Sequence, residues 1–139
     1  MRRFSLLILA IALCAALAGC GWSGEPADRA VRLLLDGEAV QAGSVAPEVD
    51  GLRVYVTLDG APLIDLPFSE PHTLTIAQPD GGENTVALTG SGVHMESANC
   101  EGQDCVNMGE VTEENLELRV LGGFIVCLPH KLSVEVRGM

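Results

Sequence analysis

Residues 52–60 read Leu52-Arg53-Val54-Tyr55-Val56-Thr57-Leu58-Asp59-Gly60. Apolar side chains fall at 54, 56 and 58, and the run ends on Asp-Gly. Successive side chains of an extended chain point to opposite faces, so this spacing describes a strand with one face buried. Asp-Gly suits the tight turn that follows, because both central residues of such a turn adopt positive φ. Working outward, the alternation returns at Leu74 and Ile76, Val86 and Leu88, Val93 and Met95, Leu116, Leu118 and Val120, and Leu132, Val134 and Val136. Turn residues separate the runs, at Pro79-Asp80-Gly81-Gly82, Gly90-Ser91-Gly92 and Gly122-Gly123. Short strands at this interval predict an all-β domain over residues 51–138, a small antiparallel β-sandwich or barrel-like domain of about seven strands.

The same pattern assigns faces. His94, between Val93 and Met95, points away from the core, whereas Phe124-Ile125-Val126-Cys127-Leu128 is continuously apolar, as in a strand covered on both faces or a central one. Cys127 is therefore expected to be buried. His72 follows Pro71 in an expected turn, and His130 follows Pro129 in another.

The N-terminal third reads differently. Arg2 and Arg3 precede an apolar run from Phe4 to Ala18, with Ser5 its only polar side chain, and the run ends at Leu17-Ala18-Gly19-Cys20. A positive start, an apolar stretch and a small-residue cleavage site make a signal peptide of residues 1–19. The stretch is shorter than the ~20 apolar residues of a spanning helix. Leu-Ala-Gly-Cys resembles the bacterial lipobox, in which the cysteine receives a lipid and becomes the new N-terminus. Cys20 is thus the expected lipidation site, and the acyl chains place the protein on the extracytoplasmic face of the cell membrane or outer membrane. Gly21, rather than Asp, follows Cys20, which in a two-membrane bacterium favours the outer membrane.

Residues 20–50 are rich in Gly, Ala, Ser, Pro and acids and read mainly as the lipidated N-terminus and a tether. Ala30-Val31-Arg32-Leu33-Leu34-Leu35-Asp36-Gly37 interrupts them, either as a short helix capped by Asp28 or as a strand entering an Asp-Gly turn. Cleavage leaves 120 residues, room for one domain. It also removes Arg2 and Arg3, so 6 basic face 19 acidic side chains, a net charge of −13. A field of that sign excludes nucleic acid as a partner, because phosphate binding needs basic groups. The membrane, through the lipid, and a protein of the cell envelope are the expected partners.

Five cysteines are present. Cys14 leaves with the signal peptide and Cys20 carries the lipid, so Cys100, Cys105 and Cys127 remain. Outside the cytoplasm disulfides persist, and three thiols form one bridge in any of three pairings. Cys100–Cys105 is the expected pair, closing a short loop for roughly 2 kcal/mol or less. The alternative is a metal site, zinc or copper, on Cys100, Cys105, Cys127 and His130, with Met95 and Met108 as possible copper thioethers. A thiol oxidoreductase is disfavoured: Cys-x4-Cys is not Cys-x-x-Cys, and no helix is expected beside it. No nucleophile-elbow, phosphate-loop or zinc-protease motif occurs, so no enzyme and no cofactor are expected.

Cys100-x4-Cys105, followed by Gly122-Gly123-Phe124-Ile125-Val126-Cys127-Leu128-Pro129-His130-Lys131-Leu132, resembles the NusG domain II family. Val54-Tyr55-Val56 with Asp59-Gly60, and Asn84-Thr85-Val86, fit the approach to it. The resemblance covers about residues 50 to 137. The chain departs from the family at Cys100-Glu101-Gly102, where Cys-Pro-Asp is usual, and at Gly109-Glu110-Val111, where Gly-Trp-Ile is usual. Thr112 to Leu121 is also longer than usual. The resemblance implies a compact β domain without a settled activity. Stand-alone members are commonly exported or membrane-tethered, some beside flavin-binding and electron-transport components, which implies a binding module accessory to membrane redox machinery.

Overall fold

The structure is a computed structural model and describes residues 30–48 and 50–138. The expected signal peptide and lipidation site, residues 1–20, lie outside these residues. Along the chain run β1 (Arg32–Leu35), β2 (Glu38–Val40), β3 (Ser44–Val45), β4 (Leu52–Leu58), β5 (Ala61–Pro67), β6 (His72–Ala77), β7 (Glu83–Leu88), β8 (Gly92–Ala98), the helical turn α1 (Asp104–Asn107), β9 (Val111–Thr112), β10 (Phe124–Cys127) and β11 (Leu132–Gly138). Six strands form an antiparallel sheet in the order β2-β1-β6-β7-β8-β9, and five form a second in the order β10-β11-β4-β5-β3. Only β3 joins its neighbour, β5, in parallel. The all-β expectation holds: the two sheets share one apolar core that includes Val54, Val56, Ile76, Val86, Met95 and Val134. Among the described residues no helix is long and apolar enough to cross a membrane.

The domain begins earlier than residue 51. Of the two readings open for residues 30–37 the strand is the one adopted, and Leu33 pairs with Ile76 and is buried. Asp36, at φ 52, and Gly37 make the turn into β2. Residues 32–45 are therefore sheet rather than tether. A buried cation holds the rest of this segment down: Arg53, only 4% exposed, donates from Nε to Asp65 Oδ1 at 2.7 Å, from Nη1 to Pro47 O at 3.2 Å and from Nη2 to Ala46 O at 3.3 Å. Composition concealed this, because small and polar residues suffice where the backbone carbonyls make the contacts.

Four other expectations fail for physical reasons. Leu116, Leu118 and Val120 alternate but form no strand. Their chain is wound in turns by the N–H groups of Leu118 and Arg119 donating to Asn115 O, and Leu118 is 84% exposed. Arg119 fastens that winding by donating to Met108 O and Gly122 O. Phe124–Cys127 is an edge strand, not a central one; Ile125 and Cys127 are buried while Phe124 is exposed. His72 opens β6 instead of occupying a turn. Residues 51–138 carry eight strands, not seven: Leu116 to Val120 drops out, the two-residue β9 comes in, and so does β5, which escaped the period-two pattern. A bulge between Val56 and Thr57 shifts its register, so Leu63 and Ile64, adjacent in sequence, are both buried. His94 does lie on the outward face, between buried Val93 and Met95.

The sheet edges are short: β2, β3 and β9 have three, two and two residues. On β10 the N–H of Phe124 donates to Leu121 O and that of Val126 to Met108 Sδ. Its outer edge is thus capped by the preceding loop and a thioether, which blocks strand addition.

Candidate metal centre

Cys100 lies two residues past the end of β8, Cys105 is the second residue of α1, and Cys127 ends β10. β8 belongs to one sheet and β10 to the other, and α1 packs against both. Closure of the two sheets around α1 therefore brings together three thiols that lie up to 27 residues apart. Gln103, at φ 55, turns the chain into α1, and its Nε2 donates to Ala98 O and Cys100 O, each at 2.6 Å. That side chain locks the loop bearing Cys100 against the end of β8.

The three sulfurs all lie within 4.8 Å of one another, and Cys100 Sγ is 3.7 Å from Cys105 Sγ. A disulfide requires about 2.05 Å. Cys100, Cys105 and Cys127 are free thiols, all buried, so the expected Cys100–Cys105 bridge is not formed. Each thiol is a neighbour of the other two. Burial raises the pKa of the Cys100 thiol, but the backbone N–H of Gln103 and the neighbouring Cys105 and Cys127 thiols outweigh it, and the group sits below its ordinary value. Burial, followed by the hydrogen bonds and charges of Cys127 and Cys100, pushes Cys105 up to about 12.

The cluster opens on a cavity of about 490 Å³ with mostly apolar walls, among them Met108, Leu121, Val126, Leu128 and Pro129. A wider cleft of about 860 Å³, bordered by Asp50, Phe68, Glu113 and Glu114, shares no residue with it. That cleft holds carboxylates but no thiol or imidazole.

His130 does not join the cysteines. Its Nδ1 lies 2.7 Å from Asn84 Oδ1, and the group of potential ligands within mutual reach contains only the three cysteines. Cys127 and His130 flank the Leu128-Pro129 turn between β10 and β11, where the chain reverses and aims the imidazole at β7. Met95 is likewise diverted: its Sδ accepts from Asn84 Nδ2 at 3.5 Å, and it does not line the cavity. Met108 does line it. The helical turn at 104–107 corrects the expectation that none lies near these thiols; four residues are too few to leave a 3.6-residue period. Gln103, and Leu121 and Leu128 as walls, also went unread. The one available signal was the burial of Cys127.

The NusG domain II model matches residues 7–139. The chain belongs to the NusG domain II family. Two solved structures share the fold: a DUF1312 family protein from Enterococcus faecalis V583, 20% identical with a TM-score of 0.55, and the Lin0431 protein from Listeria innocua, 24% identical with a TM-score of 0.55. The alignments cover 63% and 65% of this chain and 98% and 99% of those chains. No curated protein matches the chain. The departures from the NusG domain II pattern at Glu101-Gly102 and Glu110-Val111 leave the three cysteines together.

Proposed function

We propose that this protein is a lipid-anchored, non-catalytic module on the outer face of a bacterial membrane that holds one thiophilic metal ion through Cys100, Cys105 and Cys127. The carrying observation is the 3.7 Å between Cys100 Sγ and Cys105 Sγ, with Cys127 Sγ inside the same 4.8 Å group. Thiolates at ~2.3 Å from a tetrahedral metal stand about 3.8 Å apart along each edge. Burial favours retention, since the apolar walls limit water's competition for the metal. Leu17-Ala18-Gly19-Cys20 supports the anchor, and the acidic balance of the mature chain supports the absence of nucleic acid.

A second role, docking of an envelope protein such as a membrane redox component, is favoured by one observation. Leu118, Val120, Leu121, Phe124 and Leu128 are exposed in one stretch of chain, and two of them border the thiol cavity.

The test is intact mass, thiol counting and elemental analysis on the full mature chain, purified in detergent from its native envelope. Three protected thiols with one metal per chain, on a mass increased by lipid at the N-terminal cysteine, is the expected result. One free thiol, no metal and a mass lower by two hydrogens overturns the metal reading, and an unlipidated Cys20 overturns the anchor.

A further inference from the structure

We infer that the metal this site is built for is monovalent copper, held by three sulfurs and no fourth protein ligand. The inference rests on the metal-binding reading above and adds the identity of the ion. Its basis is the donor inventory. Among the described residues the three thiols form a group with no carboxylate or imidazole in reach. Each side chain nearest to completing a four-ligand shell is engaged elsewhere or turned away. His130 Nδ1 is engaged by Asn84 Oδ1 at 2.7 Å. Met108 lines the cavity and its Sδ accepts the Val126 N–H at 3.3 Å, so it serves as wall and as cap of the β10 edge. Asp104, on the same cavity, is exposed at the rim.

The open side of the sulfur triangle faces Leu121, Val126, Leu128 and Pro129. Zinc takes four ligands in a closed site and would have to draw a water into that mouth, where a water needs two to four polar partners. Copper(I) is soft, is selected by thiolates and accepts three of them without a fourth. With a metal–sulfur bond of ~2.3 Å, a trigonal set needs sulfurs about 4.0 Å apart, close to the 3.7 Å between Cys100 Sγ and Cys105 Sγ and inside the 4.8 Å that bounds the group. Binding replaces three S–H bonds by three S–Cu bonds, and the three protons leave to solvent. Sulfur count therefore selects the ion, and the apolar mouth keeps competing oxygen donors out.

The experiment uses the full mature chain in mild detergent, reduced and free of oxygen. Cuprous ion is supplied as its acetonitrile complex against a chromophoric copper(I) chelator, zinc is supplied in parallel against a chromophoric zinc chelator, and X-ray absorption is recorded on both loaded samples. The expected result is one copper(I) per chain, a shell of three sulfurs with no nitrogen or oxygen, and zinc surrendered to its chelator. Replacement of each cysteine by serine should weaken copper retention by at least about 100-fold, whereas Met108→Leu and His130→Ala should change it by less than about 3-fold. Should a serine variant lose its fold, the absorption spectrum of the unaltered chain still reads the donor set. A first shell containing nitrogen, oxygen or a fourth sulfur overturns the inference, as does zinc held with four ligands against its chelator, and both leave the metal reading standing. Retention of neither ion overturns both.

Discussion

His130 Nδ1 and Asn84 Oδ1, 2.7 Å apart, join the turn between β10 and β11 in one sheet to β7 in the other. Asn84 is fully buried and its amide nitrogen donates to Met95 Sδ, so its polar ends are both satisfied by side chains from elsewhere in the fold. Removing the amide leaves the imidazole short of a partner at a covered position. Asn84→Ala should lower the unfolding free energy by about 2 kcal/mol and His130→Ala by about 1 kcal/mol, as read from urea denaturation. Loss of copper(I) retention in His130→Ala would count against the proposed three-sulfur site.

Arg53 is buried and pairs with the partly buried Asp65, and its other donors hold the carbonyls of Ala46 and Pro47. Arg53→Ala strands the Asp65 carboxylate and frees residues 44–48. The expected cost is about 3 kcal/mol, with faster proteolysis before residue 50. The double change Arg53→Met with Asp65→Leu should recover much of that loss, and equal loss in both would count against a stranded charge as the cause.

Gly123 stands where the loop entering β10 meets the end of β11. The Val136 N–H donates to Gly123 O at 2.9 Å, and a Cβ at Gly123 would collide with the Val136 carbonyl oxygen. Backbone meets backbone there, so neither side can yield cheaply. Gly123→Ala should cost about 2 kcal/mol or more, while Gly138→Ala, whose new Cβ meets only a Leu52 methyl at ordinary distance, should change stability by less than about 0.5 kcal/mol. Thermal unfolding of the pair compares them directly.

Asp36 accepts from the Thr73 N–H at 2.8 Å and lies 2.7 Å from His72 Nδ1. The hydrogen bond with His72, then that with Thr73, then the imidazole's charge hold its carboxyl below the ordinary 3.8, against a small upward push from burial. A depressed folded-state pKa adds stability at pH values above 3.8 and loses it as the pH falls through the lower folded value. The group is about half exposed, so the effect is at most about 1 kcal/mol. Asp36→Asn keeps a residue that tolerates the left-handed turn. The gap in urea midpoint between the two proteins should be present at pH 5 and vanish toward pH 2; a gap unchanged across that range would refute the linkage.

In the reduced, metal-free protein the three thiols should differ in reactivity. Cys100 lies below and Cys105 far above the ordinary thiol value, and the thiolate is the nucleophile. Peptide mapping after brief iodoacetamide treatment at pH 8 should find Cys100 labelled first and Cys105 last. Labelling of Cys105 ahead of Cys100 would contradict the assigned hydrogen bonds.

Much of the fold was legible because alternation is a local property. β4, β6, β7, β8 and β11 each carry apolar residues on one face, and all lie where the period-two runs occur. β5 was obscured by a bulge, whose extra residue breaks the count, and Leu116 to Val120 alternated without a neighbouring strand to pair with. β1 was ambiguous in isolation; its choice of strand over helix follows from pairing with β6, a segment 40 residues away.

The site divides in the same way. Sequence alone determined that Cys100, Cys105 and Cys127 fall within the domain, that Cys127 is buried, and that the domain is β-rich and acidic. Each of these depends on residue type and near neighbours. Whether Cys100 pairs with Cys105 or the three gather, and whether His130 joins them, depended on where two sheets close around a four-residue helical turn. Only tertiary structure decided that, because the positions of the Cys100 loop and of β10 are set by packing between strands that are far apart in the chain.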